Sequence, residues 1–320
     1  MFKPEARWHV KIAVMGAGGV GSYMGALLVR AGAEVTLVCR GAHLAAIRSS
    51  GLRVTPHDGP VATTTIAATD DPATVGPVDV IVQSVKLYDL AAASQQMLPM
   101  VGPDTMVVPV QNGITAPDEV GAVVDPAHVV AGVVFINSTV VAPGVVHCRS
   151  EMSSLVFGEP DGRVSQRVAA FREVCLSAGI DARVSDSVRT EQWRKFVPVA
   201  GLSAISCLSR QPIGPVREDR KLRALYRQAM TEVVALATAE GVTLESGIVE
   251  HMLAAAQRYQ PDAKVSMLED LEAGRPLELD WLSGYVSREA RRLGVATPFH
   301  DVAYTCLKPL AAGRRGTGSA

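Results

Sequence analysis

Net charge is almost missing from this chain: 31 Lys and Arg stand against 32 Asp and Glu, leaving −1 over 320 residues. A nucleic-acid partner calls for a basic excess, so that class is set aside. Long apolar runs are missing too. None reaches the roughly 18 residues of a membrane span, and the nearest, Val120 to Phe135, is interrupted by Asp125, Pro126 and His128. Met1 to Trp8 carries charges but no apolar core of a secretion signal. The five cysteines (Cys39, Cys148, Cys175, Cys207, Cys306) are odd in number and lack CxxC spacing, so they read as reduced thiols of a cytoplasmic protein. The seven histidines form no HxxxH or HExxH pair, and no metal site is expected. What remains, 48% hydrophobic and 20% charged residues, describes a soluble globular chain with core enough for two domains.

The strongest local signal is the turn Gly16-Ala17-Gly18-Gly19-Val20-Gly21. A short apolar strand (Val10 to Met15) precedes it. A helix-like run (Val20 to Ala31) and a second strand (Glu34 to Cys39) follow. That order is the first βαβ unit of a dinucleotide-binding fold. The first glycine permits the tight turn, the second lets backbone N–H groups approach a pyrophosphate, and the third lets helix and strand pack closely. The helix N-terminus adds free donors and a partial positive charge. Where NAD and FAD sites usually place an acidic residue for the ribose hydroxyls, this chain has Arg40 followed by Gly41. A guanidinium accepts no hydrogen bond but matches a 2′-phosphate, so the expected cofactor is NADP. The plain alternative is an exposed arginine opening the next helix.

Strands and helices alternate through the first half. β-Branched stretches recur near Val78 to Val85, Thr105 to Val110 and Val129 to Phe135, as in a mostly parallel sheet buried on both faces. Gly144 to Cys148 and Ser154 to Phe157 read as shorter strands closing that sheet, and Val164 to Ala178 as a surface helix. After about Asp186 the texture becomes helical: Thr190 to Leu208, Leu222 to Glu240, Ser246 to Tyr259 and Leu279 to Leu293. Pro198 inside the first of these predicts a kink. The expected fold class is α/β, an N-terminal Rossmann-type doubly wound parallel sheet over 1–185, followed by an all-helical domain over 186–320. The tail, about 312–320, is expected to be disordered.

A doubly wound sheet binds its ligand beyond the carboxyl ends of its strands, which selects Gly16, Arg40, Lys86 and Asn112. Taken singly, Asn112-Gly113 also reads as a plain turn and Lys86 as a solvated surface residue. In the helical half, Lys195 precedes a mostly apolar run, with Val199 and Ser203 on its own helix face at i+4 and i+8. Such a lysine either snorkels to the surface, the ordinary outcome, or faces a cleft and protonates a carbonyl oxygen, its pKa lowered by burial. Ser266 and Glu278 flank a turn, where helix capping is the plain explanation.

Together these pieces resemble the ketopantoate reductase family. They run in order from Gly16 to Gly21 through Cys39-Arg40-Gly41, Val85-Lys86, Gln111-Asn112-Gly113, Trp193-Arg194-Lys195, Ser266-Met267-Leu268 and Glu278-Leu279-Asp280. The resemblance covers roughly Val10 to Pro309. It implies a two-domain enzyme, with its cleft between the domains, that reduces a 2-oxo acid with NADPH, ketopantoate to pantoate in pantothenate biosynthesis. By that resemblance Lys195 is the general acid, and Glu278 contacts the cofactor and orients the site. Ser266 holds the substrate carboxylate and Asn112 touches cofactor and substrate. Lys86 and the Gly16–Gly21 turn hold the cofactor, with a backbone contact near Ser138. The family carries asparagines four and eight residues after the lysine and a third just before a glycine. Here those places hold Val199, Ser203 and Ile213. Ser203 remains a candidate substrate contact, while valine and isoleucine offer no side-chain hydrogen bond, which leaves a more apolar 2-oxo acid open. Two other readings stay beside this one: a related 2-hydroxy acid dehydrogenase, and a non-catalytic NADP-binding regulatory protein. The sequence does not give the oligomeric state; a homodimer through the helical domain is compatible with it, though no heptad marks its face.

Overall fold

The computed structural model describes residues 10–151 and 153–313. The N-terminal segment before Val10 and the tail from Arg314 onward lie outside the described residues.

The first strand, β1 (Lys11–Met15), has Ile12, Ala13 and Val14 wholly buried, so both of its faces are covered. A run apolar on both faces suits a parallel sheet with layers above and below. The turn after it leads to α1 (Gly19–Arg30), β2 (Glu34–Val38), α2 (Gly41–Ser50), β3 (Leu52–Thr55), β4 (Ala62–Thr64) and β5 (Ala67–Thr69). Then come β6 (Val78–Gln83), α3 (Leu90–Gln96), β7 (Val101–Pro109), α4 (Ala116–Gly121), β8 (Ala131–Phe135), β9 (Ser138–Ala142), β10 (Val145–Cys148), β11 (Ser154–Gly158), α5 (Gln166–Ser177) and β12 (Asp181–Val184). The main sheet has five strands in the order β5-β2-β1-β6-β7, all parallel. From β1 the chain winds outward through β2 to one edge, then returns to β6 and β7 on the other side. The order therefore reverses between β1 and β6, and the crevice beyond their carboxyl ends is the topological switch point.

One expectation is corrected. Val145 to Cys148 and Ser154 to Phe157 are strands, but they do not close the main sheet. β10 joins a four-stranded sheet of order β4-β3-β10-β9, and β11 the centre of a three-stranded sheet, β12-β11-β8. Only one bridge, Val107 with Val129, continues the ladder past β7, where the Val130 N–H donates to the Val107 carbonyl. The next donor a parallel ladder would need on that side is the N–H of residue 109, and Pro109 has none. The main sheet stops there, and the chain turns into antiparallel pairing of β8 with β11.

After β12 no further strand forms among the described residues. The helices are α6 (Val188–Ser209), α7 (Ile213–Glu218), α8 (Arg220–Ala239), α9 (Ile248–Ala255), α10 (Ser266–Glu272), α11 (Ser283–Leu293) and α12 (Pro298–Leu307). Helix α6 runs unbroken through Pro198, which withholds one N–H from the ladder. Helix α11 starts at Ser283, later than the sequence suggests. Residues 279–282 form a turn in which the Trp281 and Leu282 N–H groups donate to the Glu278 carbonyl.

The chain divides into two compact units, one of residues 1–111 and 115–188, the other of 112–114 and 189–320. Each has its own core: Ile12, Val14, Leu37, Val82 and Phe157 in the first, and Trp193, Phe196, Tyr226, Met230 and Leu236 in the second. Ile114 packs into the second core, which explains why its three-residue segment belongs there.

Candidate active site

Each glycine of the Gly16–Gly21 turn answers a different demand. Gly16 has φ +98°, and a Cβ there would lie 2.6 Å from the Val85 side chain and 2.8 Å from its backbone nitrogen. The end of β1 thus presses against the end of β6, at the switch point. Gly19 opens α1, where a Cβ would meet the Ser138 carbonyl oxygen at 1.9 Å. At Gly21 it would lie 2.3 Å from both the Gly16 oxygen and the Ser84 hydroxyl. Gly18 differs: it is exposed, and a Cβ there would meet nothing within 4 Å. Ser84 locks the turn by donating to the Gly16 carbonyl at 2.6 Å.

Helix α1 begins without a side-chain cap and with no acid in its first turn. Its leading N–H groups have no intrahelical acceptor, and its dipole favours an anion. Arg40 ends the loop after β2 as the N-cap residue of α2, its side chain 86% exposed and its guanidinium 3.7 Å from the Asp89 carboxylate. Lys86 follows β6 half-buried and opens the turn that carries Asp89. After β7, the Gln111 amide donates to the Val85 carbonyl at 3.1 Å. The first unit therefore brings together the glycine turn, the Ser138 backbone, Ser84 to Lys86 and Arg40 through its Asp89 partner. Asn112 continues the chain after Gln111 but belongs to the second unit.

In the second unit, Lys195 and Glu278 form an electrostatic pair. Burial pushes the Lys195 ammonium down to about 8, while the Glu278 carboxylate pulls the other way. Desolvation disfavours the charged amine and an adjacent anion favours it; here desolvation is the larger effect. Glu278 is only 5% exposed. Its backbone carbonyl anchors the turn that follows, and the N-cap residue of α11 is Leu282, four positions on. Trp193 is wholly buried and packs edge-to-face on Phe196 and Tyr285, and Tyr285 donates to Glu240, which also pairs with Arg189. That aromatic set fixes the start of α6 and so the azimuth from which Lys195 projects. Ser203 is buried, two turns along from Lys195 on the same unbroken helix. Ser266 is exposed as the first residue of α10 and does not cap that helix.

Sequence reasoning passed over Ser84 and Asp89. Ser84 lay inside the Gln83-Ser84-Val85-Lys86 stretch, where the strand-end rule draws attention to the charged residue and ignores the small one. No group of three His, Cys, Asp or Glu residues placed to hold a metal ion occurs among the described residues.

Two family models match, both for ketopantoate reductase PanE/ApbA: one over residues 12–162, the other, for its C-terminal part, over 187–311. A 2-dehydropantoate 2-reductase of Mesorhizobium japonicum is 33% identical over 95% of this chain and 99% of its own. The solved structure of 2-dehydropantoate 2-reductase from Geobacter metallireducens GS-15 superposes with a TM-score of 0.88 at 28% identity, covering 94% of this chain and 99% of that one. D-mandelate dehydrogenase with NADH and anilino(oxo)acetate superposes at 0.87 over 94% of this chain and 98% of that one; at 21% identity it shares the fold alone. With both units matched in order and a relative at 33% over nearly the whole length, the chain belongs to the ketopantoate reductase family and is an oxidoreductase of it.

Proposed function

We propose that the protein reduces a 2-oxo acid to the 2-hydroxy acid with NADPH, the natural substrate being ketopantoate and the product pantoate. The observation that carries this reading is Lys195, a half-buried lysine beside the buried Glu278 carboxylate, its ammonium lowered by desolvation to about 8.

The first unit fits a dinucleotide. Side chains are excluded at Gly19 and Gly21, Gly18 leaves open space, and the uncapped α1 N-terminus offers N–H groups to a pyrophosphate. Arg40, exposed at the end of β2, is the group for a 2′-phosphate, with Asp89 holding the guanidinium until a phosphate competes for it. Lys86, Asn112 and the Ser138 backbone are its further contacts. When bound, the nicotinamide supplies a hydride to the C2 carbonyl carbon. Lys195 gives its Nζ proton to the carbonyl oxygen as the negative charge develops there, and Glu278 keeps the ammonium protonated until that moment. Electrostatic stabilisation of the oxygen by the same ammonium is the larger catalytic effect. Ser266 and Ser203 are the hydroxyls left to hold the substrate. The unpaired cysteines fit a reducing compartment, the cytoplasm.

A second reading, a more apolar 2-oxo acid, is favoured by two particular residues. Ile213 is 2% exposed within the core of the second unit, and Val199 lies one turn after Lys195. A site lacking a hydrogen-bond partner for a substrate hydroxyl loses about 1–3 kcal/mol per missing bond. Purified protein assayed by nicotinamide absorbance against ketopantoate and a panel of aliphatic and aromatic 2-oxo acids separates the two. Highest kcat/KM with ketopantoate supports the first reading and highest with an apolar acid the second. No turnover of any 2-oxo acid removes both.

A further inference from the structure

We propose that His43 is a positioning residue of the nucleotide site, bracing the glycine-rich turn through Ser22 and the β9–β10 turn through Gly144. The proposal rests on the cofactor reading above and adds a residue to it.

The hydrogen bonds leave one consistent direction. The Gly144 N–H donates to His43 Nδ1 at 3.0 Å, so that nitrogen carries no proton. The proton sits on Nε2, which donates to the Ser22 hydroxyl at 3.3 Å. Ser22, wholly buried in α1, donates its own O–H to the Ala17 carbonyl at 2.9 Å. The chain thus runs from Gly144 through the imidazole and the serine to the middle of the Gly16–Gly21 turn. Burial lowers the His43 pKa, which keeps the ring in the neutral form this arrangement needs.

The end of that chain has a geometric consequence. In a trans peptide the carbonyl and the following N–H point in opposite directions. With the Ala17 oxygen tied inward to Ser22, the Gly18 N–H is aimed the other way, on the residue where a Cβ would meet nothing within 4 Å. An anion at the head of α1 needs that donor aimed outward. The other end of the chain is equally placed. Gly144 turns β9 into β10 with φ +70°, and β9 begins at Ser138, whose carbonyl lies against Gly19. His43 is itself the third residue of α2, which starts directly after Arg40. One ring therefore ties the pyrophosphate turn, the strand passing over it and the helix that presents the arginine.

The test is affinity for NADPH by fluorescence titration, with kcat and KM, in wild type, His43→Ala, Ser22→Ala, the double variant and His43→Gln. Each alanine variant is expected to weaken NADPH binding about three- to tenfold with kcat unchanged. The double variant is expected to be no worse than the weaker single, because both cut one chain. His43→Gln, whose amide nitrogen reaches the place of Nε2, restores most of the affinity. If His43→Ala does not fold, Ser22→Ala and His43→Gln carry the test. Unchanged affinity in the single variants, or losses that multiply in the double, overturns the proposal and leaves the cofactor reading intact. Absence of NADPH and NADH binding by the wild type overturns both.

Discussion

Lys195 is a lysine whose surroundings decide its chemistry. With its ammonium brought to about 8, the residue is mostly protonated at neutral pH yet gives up its proton far more readily than a solvated lysine. With Lys195 as the proposed proton donor, the reductive kcat is expected to be level at neutral pH and to fall as pH rises through about 8. Lys195→Ala is expected to lower kcat by about 10²–10⁴-fold, measured alongside an unchanged melting temperature. Glu278 raises the lysine's pKa, so Glu278→Gln is expected to move that alkaline limb to lower pH. A limb that stays in place would detach Glu278 from the lysine. For Arg40, exposed and 3.7 Å from Asp89, alanine is expected to raise KM for NADPH far more than for NADH. Equal effects on both would mean that no phosphate is read there. At this scale the sequence was only half legible. Lys195 stood before an apolar run at a spacing for which a snorkelling surface residue is the ordinary explanation. What separates the two outcomes is the carboxylate of Glu278, more than eighty positions away, and long-range burial of that kind leaves no local pattern.

At the scale of elements, the glycine turn was legible because its spacing between a strand and a helix is a local pattern. The contacts that close it were not, the tightest least of all. Gly19 is closed by the Ser138 carbonyl, and only the folded path of β9 puts that oxygen over the helix start. Gly19→Ala is expected to displace β9 or the turn at a cost of about 1–3 kcal/mol, visible as lost stability together with lost NADPH affinity. A second element-scale device sits at the start of α12. The Glu232 carboxylate on α8 accepts the Phe299 and His300 N–H groups, capping α12 from another helix. The buried His300 ring bonds Ser283 and the Ala229 carbonyl. Burial lowers this imidazole from 6.5 to about 4, so the folded state binds its proton more weakly than the unfolded chain. Its contribution is complete above pH 6.5 and drains away as pH falls toward 4, by about 3 kcal/mol at the lower end. Denaturant titrations across that range are expected to show the acid loss in wild type and a shallower one in His300→Asn. Parallel pH slopes would contradict it.

For the molecule as a whole, the change from alternating strands to helices near Asp186 was readable from composition alone. Three features were not. β10 and β11 were assigned to the main sheet, because strand identity is a local property and partner choice is not; Pro109 closes the ladder that would have received them. Asn112 to Ile114 lies between β7 and α4 in sequence yet clusters with the second unit, through the burial of Ile114. The short strands β3, β4 and β5 lack the length that makes a period visible. Each unit carries its own feature: the first a glycine turn whose helix start is uncapped, the second a lysine whose ammonium burial lowers to about 8. The most direct test is steady-state reduction of ketopantoate by NADPH, comparing wild type with Lys195→Ala over a pH series. The account predicts wild-type turnover that declines above about pH 8 and a variant reduced at least about a hundredfold at every pH. A variant that turns over ketopantoate at the wild-type rate would contradict it.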